Sequence, residues 1–136
     1  MHSAIRNAIG LSAFLLIAAC VPGGDDSEGT GAHPMISVSS PQPNARVSSP
    51  LVVRGEARGN WYFEASFPVR LLDDEGKEIA ITPAQAQGDW MTTDFVPFEA
   101  TLVFNTAADR GTLVLEKDNP SGEPQFDDKI EIPVTF

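Results

Sequence analysis

The sequence is poor in cysteine and in histidine. Cys20 is the only cysteine among 136 residues, so neither an internal disulfide nor a cysteine-based metal cluster can form. Beyond the first twenty residues His33 is the only histidine, and it falls in a segment with the composition of a spacer. A histidine-activated nucleophile in a folded core and a histidine-rich zinc site are therefore excluded.

Positive charge is also scarce. Nineteen Asp and Glu residues against nine Lys and Arg residues give a formal net charge of −10 at pH 7. An electrostatic field of that sign repels phosphate backbones and anionic lipid surfaces. We therefore expect no nucleic-acid partner.

No hydrophobic run is long enough to cross a bilayer. The apolar run at residues 8–19 is shorter than the about 20 residues that a transmembrane helix needs and has the length of a signal-peptide core. It ends in Leu-Ile-Ala-Ala-Cys at residues 16–20, which resembles a bacterial lipobox. We predict a lipoprotein signal peptide at residues 1–19 and a lipidated Cys20. The alternative is an ordinary secretory signal with an incidental cysteine.

A lipid on Cys20 predicts an extracytoplasmic protein anchored to a membrane, because each buried CH₂ of the acyl chains contributes about 0.8 kcal/mol. The residue directly after the cysteine is Val21 and not an aspartate. In cells with two membranes, the absence of aspartate at this position resembles the pattern of lipoproteins sorted to the outer membrane. Residues 20–35 are rich in glycine and acid. They predict a flexible spacer of roughly 20 Å in which His33 is solvated.

Residues 36–136 have the pattern of strands rather than helices. Eleven prolines and eleven glycines punctuate the chain, and apolar residues recur at every second position, as at Phe67, Val69 and Leu71. We expect Pro83 to end a short strand, residues 84–89 to hold at most one helical turn, and residues 73–76 to form a polar turn. Together these patterns predict an all-β fold, an immunoglobulin-like antiparallel β-sandwich of about seven strands without a disulfide.

Several segments of this domain resemble the immunoglobulin-like domain of bacterial spore germination proteins. The segments are residues 36–41, 49–57, 61–65, 89–91, 118–122 and 132–134, together with Phe98. The most specific piece is Trp61, Phe63 and Glu64, spaced as Trp-x-Phe-Glu. The resemblance runs from about residue 36 to the C-terminus. It implies an immunoglobulin-like fold in an envelope protein, without catalytic residues.

Three consecutive aromatic residues raise the question of which ones face the solvent. Trp61, Tyr62 and Phe63 cannot all lie on one side of a strand. One interpretation buries Trp61 and Phe63 and leaves Tyr62 partly exposed. The other makes an exposed Tyr62 or Trp90 a platform for a glycan ring or a partner's side chain. Glu64 is either a ligand-facing carboxylate or an acceptor of backbone N–H bonds at a strand end.

Acidic residues suggest two further functions, both weakly. The acidic turns at residues 73–75 and 127–128 contain oxygen ligands of the kind that Ca²⁺ prefers, but neither has the spacing of a recognised loop. Paired carboxylates also hydrolyse glycosides, which requires a cleft that a small sandwich seldom offers. We predict no catalytic residue, no metal site and no cofactor.

Two functions remain. The first is a non-catalytic module that binds an envelope protein or a cell-wall glycan, with Tyr62, Glu64 and Trp90 as the candidate residues and Cys20 as the membrane anchor. The second is a structural or assembly subunit of an envelope complex. A contiguous exposed aromatic and apolar patch favours binding, whereas an evenly polar surface with a free strand edge favours assembly by strand addition.

Overall fold

The computed structural model describes residues 32–136, so the signal peptide, Cys20 and most of the predicted spacer lie outside the described residues. The strands are β1 (Ile36–Ser40), β2 (Ala45–Arg46), β3 (Leu51–Arg58), β4 (Ser66–Asp73), β5 (Glu78–Ala86), β6 (Phe95–Leu102), β7 (Arg110–Glu116) and β8 (Lys129–Thr135). Short 3₁₀ turns span Gly59–Trp61 and Pro124–Phe126. Nowhere in this part of the chain is a helix long and apolar enough to cross a membrane.

The strands form one sheet that curls into two layers. Their order is β1-β3-β6-β5-β4-β7-β8-β2, and all neighbours are antiparallel except β2, which runs parallel to β8. Only two residue pairs, Gln85 with Glu99 and Ala86 with Phe98, join β5 to β6. The sheet bends there, so β1, β3 and β6 form one layer and the remaining five strands form the other. The predicted antiparallel immunoglobulin-like sandwich is confirmed.

Alternation places the apolar residues between the layers, as the sequence predicts. Phe67, Val69 and Leu71 of β4 are fully buried in the hydrophobic core. The contact between Phe67 and Phe98, with ring centroids 4.9 Å apart, joins the two layers directly. The other buried residues include Val53, Ala57, Ala100, Leu102, Leu113, Leu115, Ile132 and Val134. Burial of each large side chain contributes about 1.5–3 kcal/mol.

Strand β5 is longer than the sequence predicts. It continues through Pro83 to Ala86, so the expected strand end at Pro83 is wrong, and residues 84–86 belong to the strand rather than to a helical turn. Pro83 is tolerated because it lies directly opposite Pro68 of β4. Two residues that lack N–H groups cannot exchange the ladder bonds of that pair, so neither strand loses a donor that it needs there.

Three loops and the N-terminal segment lie at the same end of the sandwich, which we call the loop end. The loops are residues 59–65, 87–94 and 117–128, and residues 32–35 lead into β1 beside them. Arg58 connects these parts: its Nε donates to the Pro34 carbonyl (3.2 Å) and its Nη1 to the Thr93 carbonyl (2.9 Å). The guanidinium also lies 4.3 Å from the centre of the Phe95 ring.

Gly59 allows the 87–94 loop to approach the first loop closely. A Cβ at this position would overlap the carbonyl oxygens of Trp90 and Thr92. Both are backbone atoms, which cannot move aside as a flexible side chain can. The glycine is therefore required by space rather than by an unusual φ angle.

We predict that Gly59→Ala destabilises the domain by about 1–3 kcal/mol, because the added methyl group must push the 87–94 loop away from its position. The matched control is Gly88→Ala in the same loop, where a Cβ would meet only a Val96 methyl at 3.9 Å. Chemical denaturation of the two variants checks this. Equal stability of both variants would contradict the packing argument.

Candidate functional site

Tyr62 is part of the core and not an exposed platform. The 3₁₀ turn at Gly59–Trp61 shifts the alternation, so that Trp61 and Tyr62 are both buried while Phe63 is 41% exposed. The Tyr62 hydroxyl donates a hydrogen bond to the Val96 carbonyl at 2.6 Å. Burial raises the pKa of the Tyr62 hydroxyl well above its usual range. The expectations of a buried Phe63 and a partly exposed Tyr62 are therefore wrong.

Phe63 and Glu64 project from a tight hairpin turn, residues 63–66, which we call the hairpin tip. The N–H of Phe63 donates to the Ser66 carbonyl (3.0 Å), and the N–H of Ser66 donates to the Phe63 carbonyl (3.2 Å). The two central residues, Glu64 and Ala65, have φ of +51° and +64°. A two-residue turn favours such angles with Asn and Gly, and other residues adopt them at a cost of about 1–2 kcal/mol each.

Glu64 does not have the structural role that its position suggested. It is exposed, and within the described part of the chain its carboxylate accepts no backbone hydrogen bond. The expectation that it accepts backbone N–H bonds at a strand end is wrong. Backbone strain at a residue without a structural bond is more often associated with functional sites than with the folding core.

Trp90 lies in the 87–94 loop at the same end of the sandwich as Tyr62 and Glu64. Its side chain is half-buried and packs against the core. The neighbouring Met91 is much more exposed. Of the three predicted binding residues, only Glu64 is exposed.

His33 belongs to the folded domain. Its Nδ1 accepts the N–H of Met35 (3.1 Å), so its Nε2 is free to donate to Asp128 Oδ2, also at 3.1 Å. The imidazole packs edge-on against Trp61, with ring centroids 5.3 Å apart. The expectation of a solvated spacer histidine is wrong, because a partner 95 positions away along the chain fixes the ring.

A shallow cleft of about 460 Å³ opens next to the hairpin tip on the outer face of β4 and β5. We call it the proline cleft; it is lined by Ser66, Phe67, Pro68, Ile81, Thr82, Pro83 and Asp118. The pairing of β4 with β7 stops at Val69, and that of β5 with β6 begins only at Gln85. Both strands therefore lack a neighbour beside the prolines, which leaves this apolar surface open. Ile81 on its wall is 52% exposed.

Asp118 closes one end of the proline cleft. Its N–H donates to the Trp61 carbonyl at 3.0 Å, which holds the 117–128 loop against the hairpin. Burial of the carboxyl, followed by repulsion from Glu64, raises the pKa of Asp118, and only the N–H of Asn119 acts in the opposite direction. Across residues 32–136, neither Asp118 nor Glu64 forms an ion pair.

Sequence reasoning missed Asp118. It stands in a stretch with an ordinary loop composition, and its neighbour in space, Glu64, is 54 positions earlier in the chain. The resemblance included both Glu64, in the Trp-x-Phe-Glu segment, and Asp118, in the segment 118–122. Neither segment indicated the bond from the Asp118 N–H to the Trp61 carbonyl.

The other acidic turns are used for structure. Asp73 Oδ1 accepts the N–H groups of Glu75 and Lys77, each at 2.9 Å, and Gly76 has φ of +79°, so the predicted polar turn is confirmed. In the 117–128 loop, Asp127 Oδ1 accepts from Asn119 Nδ2 at 2.8 Å. Within the described residues no group of three or more Asp, Glu, His or Cys side chains is arranged to hold a metal ion.

We predict that Asp118→Asn stabilises the protein at pH 7. A raised folded-state pKa means that ionised Asp118 opposes folding, so its contribution is favourable at low pH and is lost as the pH rises through the folded pKa. The melting temperature should rise by about 1–4 °C at pH 7, the range of an exposed charge effect below 1 kcal/mol. The gain should vanish near pH 3.

Asp74→Asn is the matched control, since Asp74 is an exposed carboxylate at the opposite end of β4. Thermal melts of both variants between pH 3 and 7 compare them. A gain for Asp118→Asn that is no larger than the gain for Asp74→Asn would contradict the assignment.

Comparison with known proteins places this geometry in a family. No curated protein matches the chain, and no solved structure matches it. Residues 35–123, more than half of the chain, match the immunoglobulin-like domain of bacterial spore germination. The match begins where the sequence resemblance predicts and ends before β8, which the resemblance had included. The chain therefore belongs to the family of immunoglobulin-like domains of bacterial spore germination.

Proposed function

We propose that this protein is a lipid-anchored, extracytoplasmic module that binds a protein or glycan partner of the cell envelope without catalysing a reaction. Its binding surface is the hairpin tip together with the adjacent proline cleft. The observation that carries the proposal is the display of Phe63 and Glu64 in a strained turn beside an open apolar cleft. Membership of the family supports a non-catalytic module and a location outside the cytoplasm.

The distribution of exposed apolar side chains supports this surface. Large apolar residues that remain exposed are concentrated at the loop end, and they are Phe63, Met91, Phe95 and Phe126. Ile81 adds to them from the cleft. At the opposite end of the sandwich the comparable residue is Val103. Exposed apolar residues concentrated at one end of a domain support an interaction surface at that end.

The shape of the cleft argues against catalysis. Hydrolysis by two carboxylates requires a site that holds the sugar between them and controls access of water. The proline cleft is shallow, and Glu64 stands exposed beside it.

Lipid anchoring rests on the sequence of residues 16–20 and on the position of Cys20 at the end of the apolar run. We predict that Cys20→Ala leaves the protein unlipidated. In phase separation with Triton X-114 the native protein should move to the detergent phase with an added lipid mass on its N-terminal peptide, and the variant should show no such mass. A mature native protein without Cys20 and without lipid would refute this part of the proposal.

A photo-crosslinking experiment tests the binding surface. We predict that benzoylphenylalanine in place of Phe63, in intact bacterial cells that carry the protein, captures a discrete partner. The control places the same probe at Val103, which is 75% exposed at the opposite end, and should capture nothing discrete. Adducts at both positions alike, or at neither, would contradict a binding surface at the hairpin tip.

A second candidate function is assembly by strand addition. Among the described strands β1 has one neighbour only, and β2 covers β8 only at Val134 and Thr135. A groove of about 390 Å³ lies between these two edges, with Ile36, Val38 and Ile132 in its lining. An extended segment placed there would find unpaired backbone groups on both sides. A probe at Ser37 that captures a partner while the probe at Phe63 does not would favour this function.

A further inference from the structure

Strand β5 has an open edge beside the proline cleft. Pro68 and Pro83 lie opposite each other and both lack an N–H, so this pair exchanges no hydrogen bonds and the bonds between β4 and β5 fall on the neighbouring pairs. Because the pattern alternates along the strand, the N–H and C=O of Ile81 and the C=O of Pro83 point away from β4. The Ala86 N–H, which donates to the Ala65 carbonyl at 2.8 Å, has the phase that this alternation requires.

No described strand covers this edge. Strand β6 pairs with β5 only at Gln85 and Ala86, and it then passes into the other layer. Among residues 32–136 no backbone hydrogen bond reaches the outward groups of Ile81 and Pro83. The Ile81 side chain beside them is 52% exposed. The edge therefore offers one donor, two acceptors and an aliphatic side chain to another molecule.

The other strand edges are less open or lie away from the cleft. The outer edge of β1 begins with a bridge between His33 and Ile36. On β8 the Pro133 carbonyl accepts the N–H of Asn44 at 2.7 Å, and β2 pairs with the strand beyond it. Strand β6 has an open edge beyond Glu99, but none of its residues lines the proline cleft. The edge of β5 is thus the one that adjoins the proposed binding surface.

The open edge also lacks the charges that usually prevent strand addition. Natural edge strands often carry lysine or other charged side chains, whereas residues 79–84 contain none. Pro83 removes one donor from the edge but keeps its carbonyl. Arg70 lies opposite Ile81 on β4, which is the side away from the edge, and ion pairs with two glutamates hold it there. An extended segment would therefore meet no unpaired charge on this part of β5.

We propose that an extended polypeptide segment of a partner protein adds to β5 as a further strand along the proline cleft. The segment exchanges backbone hydrogen bonds with Ile81 and places an uncharged, apolar side chain next to it. Backbone groups that repeat at every second residue, about 6.8 Å apart, match another strand, and side chains that lie across from each other add specificity. This inference rests on the proposed function and specifies its partner as a polypeptide rather than a glycan.

The test combines benzoylphenylalanine in place of Phe63, in intact bacterial cells that carry the full-length protein, with a second substitution at the edge. Ile81→Pro removes the N–H that points to the added strand and no bond to β4. Ile81→Val is the matched control, since it keeps the N–H and most of the side chain. The yield of the Phe63 adduct should fall about five- to tenfold in Ile81→Pro, as expected for one lost hydrogen bond, and less than about twofold in Ile81→Val.

Both variants should fold, because the Ile81 N–H makes no backbone bond within the described chain and an edge position tolerates proline. Thermal melts check this. A second pair of variants covers the case in which Ile81→Pro does not fold. Ile81→Lys places a charge at the edge and should lower the Phe63 adduct at least about fivefold, whereas Val103→Lys places the same charge on an exposed aliphatic residue at the opposite end and should not.

Equal adduct yields within the pair that is tested would overturn the inference, and so would a glycan or a second copy of this chain as the captured molecule. Equal yields or a captured glycan would leave the proposed binding at the hairpin tip in place. No adduct at Phe63 in the protein without a second substitution would reject the proposed function, and this inference with it.

Discussion

The burial of Trp61 holds together parts of the chain that are far apart in sequence. Its ring lies against Phe67 of the core and against His33 of the N-terminal segment, and its carbonyl accepts the N–H of Asp118. The indole Nε1 finds no hydrogen-bond partner among the described residues, which costs about 1–3 kcal/mol. The apolar contacts offset that cost. The ring of Trp61 therefore connects the N-terminal segment to the core, and its backbone carbonyl holds the 117–128 loop.

The burial of strand residues could be predicted wherever successive side chains alternate between the core face and the outer face of the sheet. Phe67, Val69 and Leu71 are buried because alternation sets the direction of their side chains once β4 pairs with β5 along its length. The same reasoning failed at Tyr62 and Phe63, one turn earlier. There the 3₁₀ turn changes the repeat of side-chain direction from two to about three residues. No residue in the segment indicates that change in the sequence. A two-residue turn made of Glu64 and Ala65 also lacks the usual Asn-Gly signal.

The candidate site was only half predictable, because its charges come from separate loops. The Trp-x-Phe-Glu segment identified Glu64, but Asp118 joins it through a backbone bond to Trp61 that no local pattern encodes. His33 illustrates the same limit. Its glycine-rich surroundings indicate a spacer, whereas its contacts with Asp128 and Trp61 depend on the folding of strands much later in the chain.

The part of the chain that the structure describes begins at the loop end of the sandwich. His33 lies beside the loops, thirteen positions after Cys20, the cysteine that we propose to be acylated. An anchor at Cys20 would place Glu64 and Asp118 on the membrane side of the domain. Val103 and the 73–76 turn would lie on the side away from the membrane. A molecule that approached from the side away from the membrane would contact the end of the sandwich where Val103 is the exposed large apolar residue. On the proposed function, the partner that contacts the hairpin tip would then lie on the membrane side of the domain.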